Sequence, residues 1–511
     1  MLYIPVPRKL KEGIHNFCRR WPRVSRFIGL VERRHKPIRA ILTLVLHTAG
    51  LVLSFSALRE SRTPQGSVAW LLSLNTVPAI AVPAYLVFGK TEFEDFVATR
   101  GQGKKDFRPT AEKWLENLRA VEPSGTESSR LLTTLSRIGS LPVTTGNEVD
   151  LLVDGTDTFD SIFQAIDRAE KYIFIQFYII RNDETGGSLK DKLVAKAKEG
   201  VRVHVLYDDY GSIDLKNDFH EELEEAGVYI SPFMRPDEKP SRFRLNYRNH
   251  RKLVIVDGIT AFVGGHNVGD EYLGKHPVYT PWRDSHLRLK GPVVTTLQVS
   301  FLEDWLWATS DVIEDLNWDL ERADDLAEGQ VEAVAVPTGP ADETETCNLM
   351  FHAIINSASD RLWMATPYFV PDHGLVVALQ LAAKRGVDVK IVIPGMTDSK
   401  LTERSAYSYL NEMDLEGIQF MRYDGGFLHQ KVFLVDDEFV SIGSANFDNR
   451  SVRLNFELMV GVRDKQLNSD VAKMLEKDFA NSSAFKPKHF REKGFFYRTS
   501  VRASRLLAPI Q

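Results

Sequence analysis

Two short runs in this chain carry the residue types of phosphoryl-transfer chemistry at matching spacing. The first is His250-Arg-Lys252-Leu-Val-Ile-Val-Asp257, followed after six residues by Gly264-Gly-His-Asn267. The second is His429-Gln-Lys431-Val-Phe-Leu-Val-Asp436, followed after six residues by Gly443-Ser-Ala-Asn446. A neutral imidazole can attack phosphorus, and a protonated one can give its proton to a departing alkoxide. Lysines and carboxamides suit the oxygens of a phosphate and the charge added in its transition state. His250, Lys252, Asp257, His429, Lys431 and Asp436 are therefore the candidate catalytic residues. Asn267, Asn446 and Ser444 are the candidate phosphate ligands. Gly265 stands where the second copy has Ser444, so a hydroxyl donor is expected on one side only. Asp257 and Asp436 fall past the strand that follows each lysine, where bracing through backbone or lysine contacts is the expected contribution.

A nucleophilic histidine needs a partner for its second ring nitrogen. Asp284 in Trp282-Arg-Asp-Ser-His286 and Glu457 in Asn455-Phe-Glu-Leu458 lie at comparable places beyond the two motifs. Each is expected to orient the histidine of its own motif, as the Asp of a hydrolase triad does. His266 and His286 break the repeat pattern and are expected to be structural hydrogen-bonders. Trp305 and Trp307 read as core. Tyr368 and Phe369 suit either core packing or the lining of an acyl path. Neither copy has the ligand spacing of a zinc or two-metal site.

These groups need rigid elements to hold them. Leu-Val-Ile-Val and Val-Phe-Leu-Val read as buried strands, and residues two apart on a strand face the same way, so His and Lys project together. The short apolar runs Thr260–Val263 and Phe439–Ile442 are expected to return antiparallel and bring each Asn beside its His. The surrounding chain also reads twice. Ile166–Ile180 and Lys198–Tyr207 match Ile355–Val370 and Lys384–Ile393 as helix, apolar strand, helix and Gly-Val-x-Val strand. That alternation predicts an α/β fold with crossover units on a mainly parallel sheet, duplicated as two halves around one site. The boundaries expected are 141–320 for the first half and 321–485 for the second, with an acidic linker over Asp311–Glu328.

The rest of the chain points to a membrane. Ala40–Leu58 and Val68–Phe88 are uncharged runs of 19 and 21 residues, each close to the ~20 that span a hydrocarbon core. Arg59–Ser67 between them contains Thr-Pro-Gln-Gly and reads as a turn, so 40–88 is expected to be a two-helix transmembrane hairpin. Pro78 and Pro83 imply a kink in its second limb. Residues 1–39 hold 11 Lys/Arg against Glu12 and Glu32, which places this basic segment, and after two crossings the catalytic halves, on the cytoplasmic side. A linker follows over 89–140. The tail 486–511 holds seven Lys/Arg against Glu492 alone, with several aromatics among them; it suits either an ordinary solvated terminus or contact with anionic lipid. Net charge is −5, and the catalytic halves lack a basic, aromatic-interleaved stripe, which argues against nucleic acid as a partner. Two cysteines, Cys18 and Cys347, exclude a disulfide framework.

The duplicated motif, with Asn246-Tyr-Arg-Asn-His-Arg-Lys252, Tyr368-Phe-Val-Pro-Asp372 and Ser444-Ala-Asn-Phe-Asp-Asn-Arg-Ser-Val-Arg-Leu-Asn-Phe-Glu457, resembles the phospholipase D superfamily. The hairpin stretch Pro64-Gln-Gly-Ser-Val-Ala-Trp-Leu-Leu72 and the run ending at Glu457 narrow the resemblance to the membrane-anchored bacterial cardiolipin synthases. The resemblance implies two phospholipase-D-like α-β-α sandwich halves sharing one central active site behind the hairpin, in the bacterial inner membrane. It implies two phosphatidylglycerol molecules as substrates and cardiolipin and glycerol as products, through a phosphohistidine on His250, with His429 as acid and base and with no metal or cofactor. Pseudo-symmetry leaves the two histidine roles exchangeable on sequence grounds. A phospholipase D or another phosphatidyltransferase with a different acceptor is the alternative, and a nucleic-acid phosphodiesterase ranks below it. Oligomeric state and acyl preference stay open.

Overall fold

In the computed structural model, which describes residues 22–60, 64–89, 130–215, 217–234, 246–318, 331–413, 417–485 and 492–510, the chain separates into two units, Met1–Glu92 and Phe93–Gln511. Most of the basic leader, most of the 89–140 linker and the greater part of the acidic linker lie outside the described residues, as does the start of the tail.

The first unit begins with one long helix, α1 (Pro22–Glu60), whose Ala40–Arg59 portion is long and apolar enough to cross a membrane. The chain then doubles back through α2 (Pro64–Thr76) and α3 (Pro78–Phe88), both packed on α1. Gly50 permits this approach, since a Cβ there would stand 2.3 Å from the carbonyl oxygen of Leu74. Asn75 donates to Ser54 Oγ at 2.8 Å across the fold. The second limb is broken where the kink was expected. Pro78 disfavours helical geometry at Val77, which sits at φ −133° and ψ 55°, so the second limb is two short helices. Among the described residues only Ala40–Arg59 reaches spanning length.

The central sheet of the second unit is dominated by seven strands repeated twice, with short strands added at its margins. The first set is β1 (Thr144–Val153), β2 (Tyr172–Phe177), β3 (Arg202–Tyr207), β4 (Tyr229–Pro232), β5 (Leu253–Val256), β6 (Thr260–Gly264) and β7 (Ser285–Lys290). The second is β8 (Val331–Thr338), β9 (Arg361–Ala365), β10 (Asp388–Pro394), β11 (Gln419–Tyr423), β12 (Val432–Val435), β13 (Phe439–Gly443) and β14 (Asn455–Arg463). Strand order runs β4-β3-β2-β5-β6-β7-β1 and then β8-β14-β13-β12-β9-β10-β11. The halves meet where β1 pairs antiparallel with β8. Among these fourteen strands only β2-β3-β4 and β9-β10-β11 pair in parallel. The sheet is therefore mixed and not mainly parallel. The tight turns after Val256 and Val435 enforce antiparallel return, and only the helical crossovers give parallel neighbours.

Both faces of the sheet are covered. Along β2 every residue is buried, with Tyr172 and Phe174 in one apolar cluster and Ile173, Ile175 and Phe177 in another. Apart from Gln176, whose amide donates to Asp304 at 2.6 Å, that is the apolar run of a strand between two helical layers. The first of these clusters crosses the seam, joining Leu297 and Phe301 of the helix Val293–Thr309 to Ala333 and Ala335 of β8. The two halves thus share one core.

Candidate active site

Each His-x-Lys segment precedes a central strand, β5 or β12, and its backbone is held by the opposite half. Arg248–Asn249 pairs parallel with Asn455–Phe456, and His250 N donates to Phe456 O at 2.9 Å. Phe427–Leu428 pairs parallel with Trp282–Arg283, and His429 N donates to Arg283 O at 2.7 Å. The next residue on each partner strand is a carboxylate, Glu457 or Asp284.

This pairing corrects the expected histidine partners. His250 Nδ1 lies 2.9 Å from Glu457 Oε2, and His429 Nδ1 lies 2.7 Å from Asp284 Oδ2. The carboxylates are crossed between halves. Both are fully buried. With Nδ1 engaged, Nε2 is the nitrogen each ring offers to a shared cavity of about 710 Å³, which both histidines line.

The two carboxylates are supported differently. Glu457 accepts from Ser444 Oγ at 2.6 Å, Ser451 Oγ at 2.8 Å and Asn455 Nδ2 at 3.2 Å, besides His250. Burial pushes its carboxyl up, but His250, Lys252 and Ser444 outweigh this and hold it below its ordinary value. Asp284 Oδ1 accepts from Ser285 N at 2.9 Å. A Cβ at Gly265 would stand 2.0 Å from that oxygen, so the first half keeps glycine where the second has Ser444. Gly265→Ser, although it copies the second half, is expected to push Asp284 off His429 and lower turnover roughly 100-fold. A kcat within a few-fold of the parent would show that the close approach is unimportant.

The remaining predicted residues divide. Asn267 and Asn446 are buried and line the cavity. Asn267 is fixed by Ile179 N at 3.1 Å and by the Tyr272 hydroxyl at 2.8 Å, while Asn446 Oδ1 is a buried oxygen without a protein partner. Ser444 gives its one hydroxyl proton to Glu457 Oε2 at 2.6 Å, which makes it a support for that carboxylate and not a donor to phosphate. Asp257 and Asp436 stand at the far end of β5 and β12. They accept backbone N–H groups of Glu170, Lys171 and Tyr172, and of Ser359, Asp360 and Arg361, respectively. Both have positive φ, 55° and 48°. They tie the motif strand to the start of β2 or β9 and touch no reacting group.

Lys252 and Lys431 lie just behind the histidines, with Nζ on the carbonyl oxygen of His250 (2.7 Å) and of His429 respectively. Lys431 Nζ is also 2.9 Å from His429 Nδ1. Burial drives every one of these cationic groups toward neutrality. His250 is lowered to about 4 by burial, with Lys252 and Lys431 adding to this against Glu457. His429 falls well below its ordinary value through burial and then Lys431. Lys431 is lowered to about 8, burial outweighing Asp284 and Glu457. In the resting site both imidazoles are neutral and Lys431 is poised. Were the charged Lys431 required for a phosphate substrate, that charge would be lost as pH rises through its pKa, and kcat/KM is expected to fall above about pH 8. The limb for kcat should lie higher, since a bound phosphate favours the charged lysine; coincident limbs would contradict this.

His266 and His286 are fully buried, 3.2 Å apart through their Nδ1 atoms, and outside the cavity lining, as expected of structural residues. Trp305 and Trp307 are core, as is Phe369, whereas Tyr368 lines the cavity and donates to Asp398 at 2.7 Å. Residues that sequence reasoning missed include Tyr178, whose ring centroid is 5.0 Å from that of His250, and Trp282, 5.1 Å from His429. Arg181, Arg248 and Arg450 add three guanidinium groups to the lining. Arg251, inside the first motif, is buried against Asp304 at 2.8 Å and donates to Glu457 O at 3.1 Å. Its position in the motif was the available signal. Among the described residues no cluster could hold a metal ion.

A family model described as cardiolipin synthase, PLD-like domain, matches residues 162–305 and 351–481, one copy on each half. Cardiolipin synthase A of Pseudomonas fluorescens is 40% identical over 474 residues, covering 92% of this chain and 98% of that protein. Cardiolipin synthase A of Pseudomonas putida is 40% identical over 471 residues, covering 91% and 97%. The solved phosphatidylserine synthase of Haemophilus influenzae shares the fold, with a TM-score of 0.58 at 16% identity over 75% of this chain and all of that one. The duplicated strands, the paired histidine sites and these matches agree, and the chain belongs to the cardiolipin synthase family of phospholipase-D-like proteins.

Proposed function

We propose that this chain is a phosphatidyltransferase that makes cardiolipin and glycerol from two phosphatidylglycerol molecules. The observation that carries the reading is the pair of crossed imidazole–carboxylate couples facing one cavity. Two histidines on one phosphate permit two successive in-line displacements with a covalent intermediate.

His250 Nε2 attacks the phosphorus of the first phosphatidylglycerol, and the bond to the head-group glycerol oxygen breaks. His429 gives that oxygen its proton. The primary hydroxyl of the second phosphatidylglycerol then passes its proton to His429 and attacks the same phosphorus, and the bond to His250 breaks. Glu457, held ionised by its hydroxyl and amide donors, stabilises the positive charge His250 acquires while bonded to phosphorus. Asp284 does so for the imidazolium of His429. Both imidazoles rest neutral, so the anionic substrate supplies the field that lets His429 take up its proton. Lys252, Lys431, Asn267 and Asn446 hold the non-bridging oxygens. Asp257 and Asp436 brace the motif strands.

Placement follows from charge and apolarity. Ala40–Arg59 anchors the chain in the bacterial inner membrane, α2 and α3 form the returning limb, and the 11 cations of residues 1–39 keep the catalytic unit cytoplasmic.

The test is the full chain in detergent with phosphatidylglycerol, products resolved by chromatography. Cardiolipin with equimolar glycerol is expected; phosphatidic acid alone would mean hydrolysis and overturn the reading. A reporter fused after Gln511 should remain cytoplasmic, and an exported reporter would sink the topology.

A further inference from the structure

The site leaves the C-terminal tail unused, yet part of that tail is an ordered element. The helix Phe495–Ser504 packs on the helix Lys400–Met413, burying Val501 and Ser504. Arg505 fastens it, with its guanidinium 4.3 Å over the Tyr409 ring and 2.6 Å from Glu412. The opposite face is open. Phe495, Phe496 and Leu506 are 69%, 87% and 81% exposed, and Lys493, Arg498 and Arg502 are exposed beside them. Positions 495, 498 and 502 follow helical spacing and share one outward stripe, and Leu506 follows in the 3-10 turn Arg505–Ile510, so the cations lie between exposed apolar groups. Among the described residues Lys493, Arg498 and Arg502 make no ion pair with a carboxylate.

We propose that this face docks on an anionic phospholipid bilayer. Phe495, Phe496 and Leu506 enter the acyl boundary, and Lys493, Arg498 and Arg502 meet lipid phosphates. Charge complementarity selects this occupant over a second copy of the chain, whose matching stripe would set cations against cations. The place of the helix supports it. Lys400–Met413 beneath it starts at the cavity rim, where Ser399 and Thr402 line the cavity and Met396 and Leu401 expose apolar surface. Docking therefore holds the cavity mouth near the surface in which a phospholipid substrate resides, a consequence that rests on the transferase reading above.

The test uses the full chain with Phe495→Ser/Phe496→Ser and, separately, Arg498→Glu/Arg502→Glu. Synthesis from phosphatidylglycerol presented in vesicles is expected to fall about 10-fold or more, while synthesis from short-chain phosphatidylglycerol below its micelle concentration changes less than about 2-fold. An equal loss with both substrates means a structural role and overturns the proposal. In parallel, Phe496→Cys in a Cys18→Ser/Cys347→Ala background carries an environment-sensitive fluorophore. A blue shift in vesicles containing phosphatidylglycerol, larger than in phosphatidylcholine alone, is expected. No shift, an equal shift, or a shift set by protein concentration and not by lipid overturns it. Should the parent make cardiolipin from neither substrate form, the transferase reading fails instead, and the fluorophore still reports on docking.

Discussion

His250→Ala and His429→Ala are each expected to lower cardiolipin formation roughly 10⁴-fold or more, with the double variant scarcely worse than either single one. The loss corresponds to about 5.5 kcal/mol of barrier at each site. Non-additivity is the informative part. The two imidazoles act in turn on one phosphorus, so removing either stops the same sequence. Both line one cavity and both are held by a buried carboxylate, which excludes two independent sites. Initial rates with phosphatidylglycerol, alongside melting curves showing retained fold, provide the measurement. A single variant within about tenfold of the parent rate, or losses that multiply, would contradict a two-histidine displacement.

The second large effect concerns the crossed carboxylates. Glu457→Gln and Asp284→Asn are each expected to cost roughly 10²- to 10⁴-fold, because an amide holds the wrong tautomer and leaves the imidazolium without its counter-charge. They should fail at different steps. With a phosphatidyl donor carrying nitrophenol, the leaving group needs little help from an acid. Asp284→Asn should then release a near-normal burst of nitrophenol and stall, since only His429 as base is impaired. Glu457→Gln should lose the burst, since His250 is the group it supports. The opposite pattern would exchange the two histidine roles. Identical behaviour of the two variants would deny the crossed pairs separate functions.

The chemistry was legible in the sequence because it is local. His, Lys and Asn stand at fixed offsets within a strand–turn–strand unit, and that unit folds as its pattern demands. Asp284 and Glu457 were also identifiable as orienting carboxylates beyond each motif. Their exchange was not, because it depends on Arg248–Asn249 pairing with Asn455–Phe456, more than 200 residues away, and on Phe427–Leu428 pairing with Trp282–Arg283. No period in either segment announces a partner in the other half. Ser444 was misassigned for a related reason, since a hydroxyl suits a phosphate or a carboxylate equally until the neighbour is known. The sheet was expected to be mainly parallel because the helical crossovers dominate the pattern, while the antiparallel strands between them are short. The broken second limb of the N-terminal unit follows from Pro78, whose effect on Val77 outweighed an otherwise continuous apolar run.

The exchange of carboxylates also governs how this chain can be divided. Each half contains a complete His-x-Lys motif, so either half expressed alone would carry what a motif search calls a full active site. Each would nonetheless hold its imidazole without a counter-charge, and its β1 or β8 edge without a mate. Severed within the acidic linker, the two pieces should be inert separately and regain turnover only on mixing. Two defective full-length chains, one lacking His250 and one lacking His429, should not rescue each other without exchanging halves. The indivisible catalytic module here is the β1–β8 seam with both flanks attached, and the duplicated motif is half of a reagent.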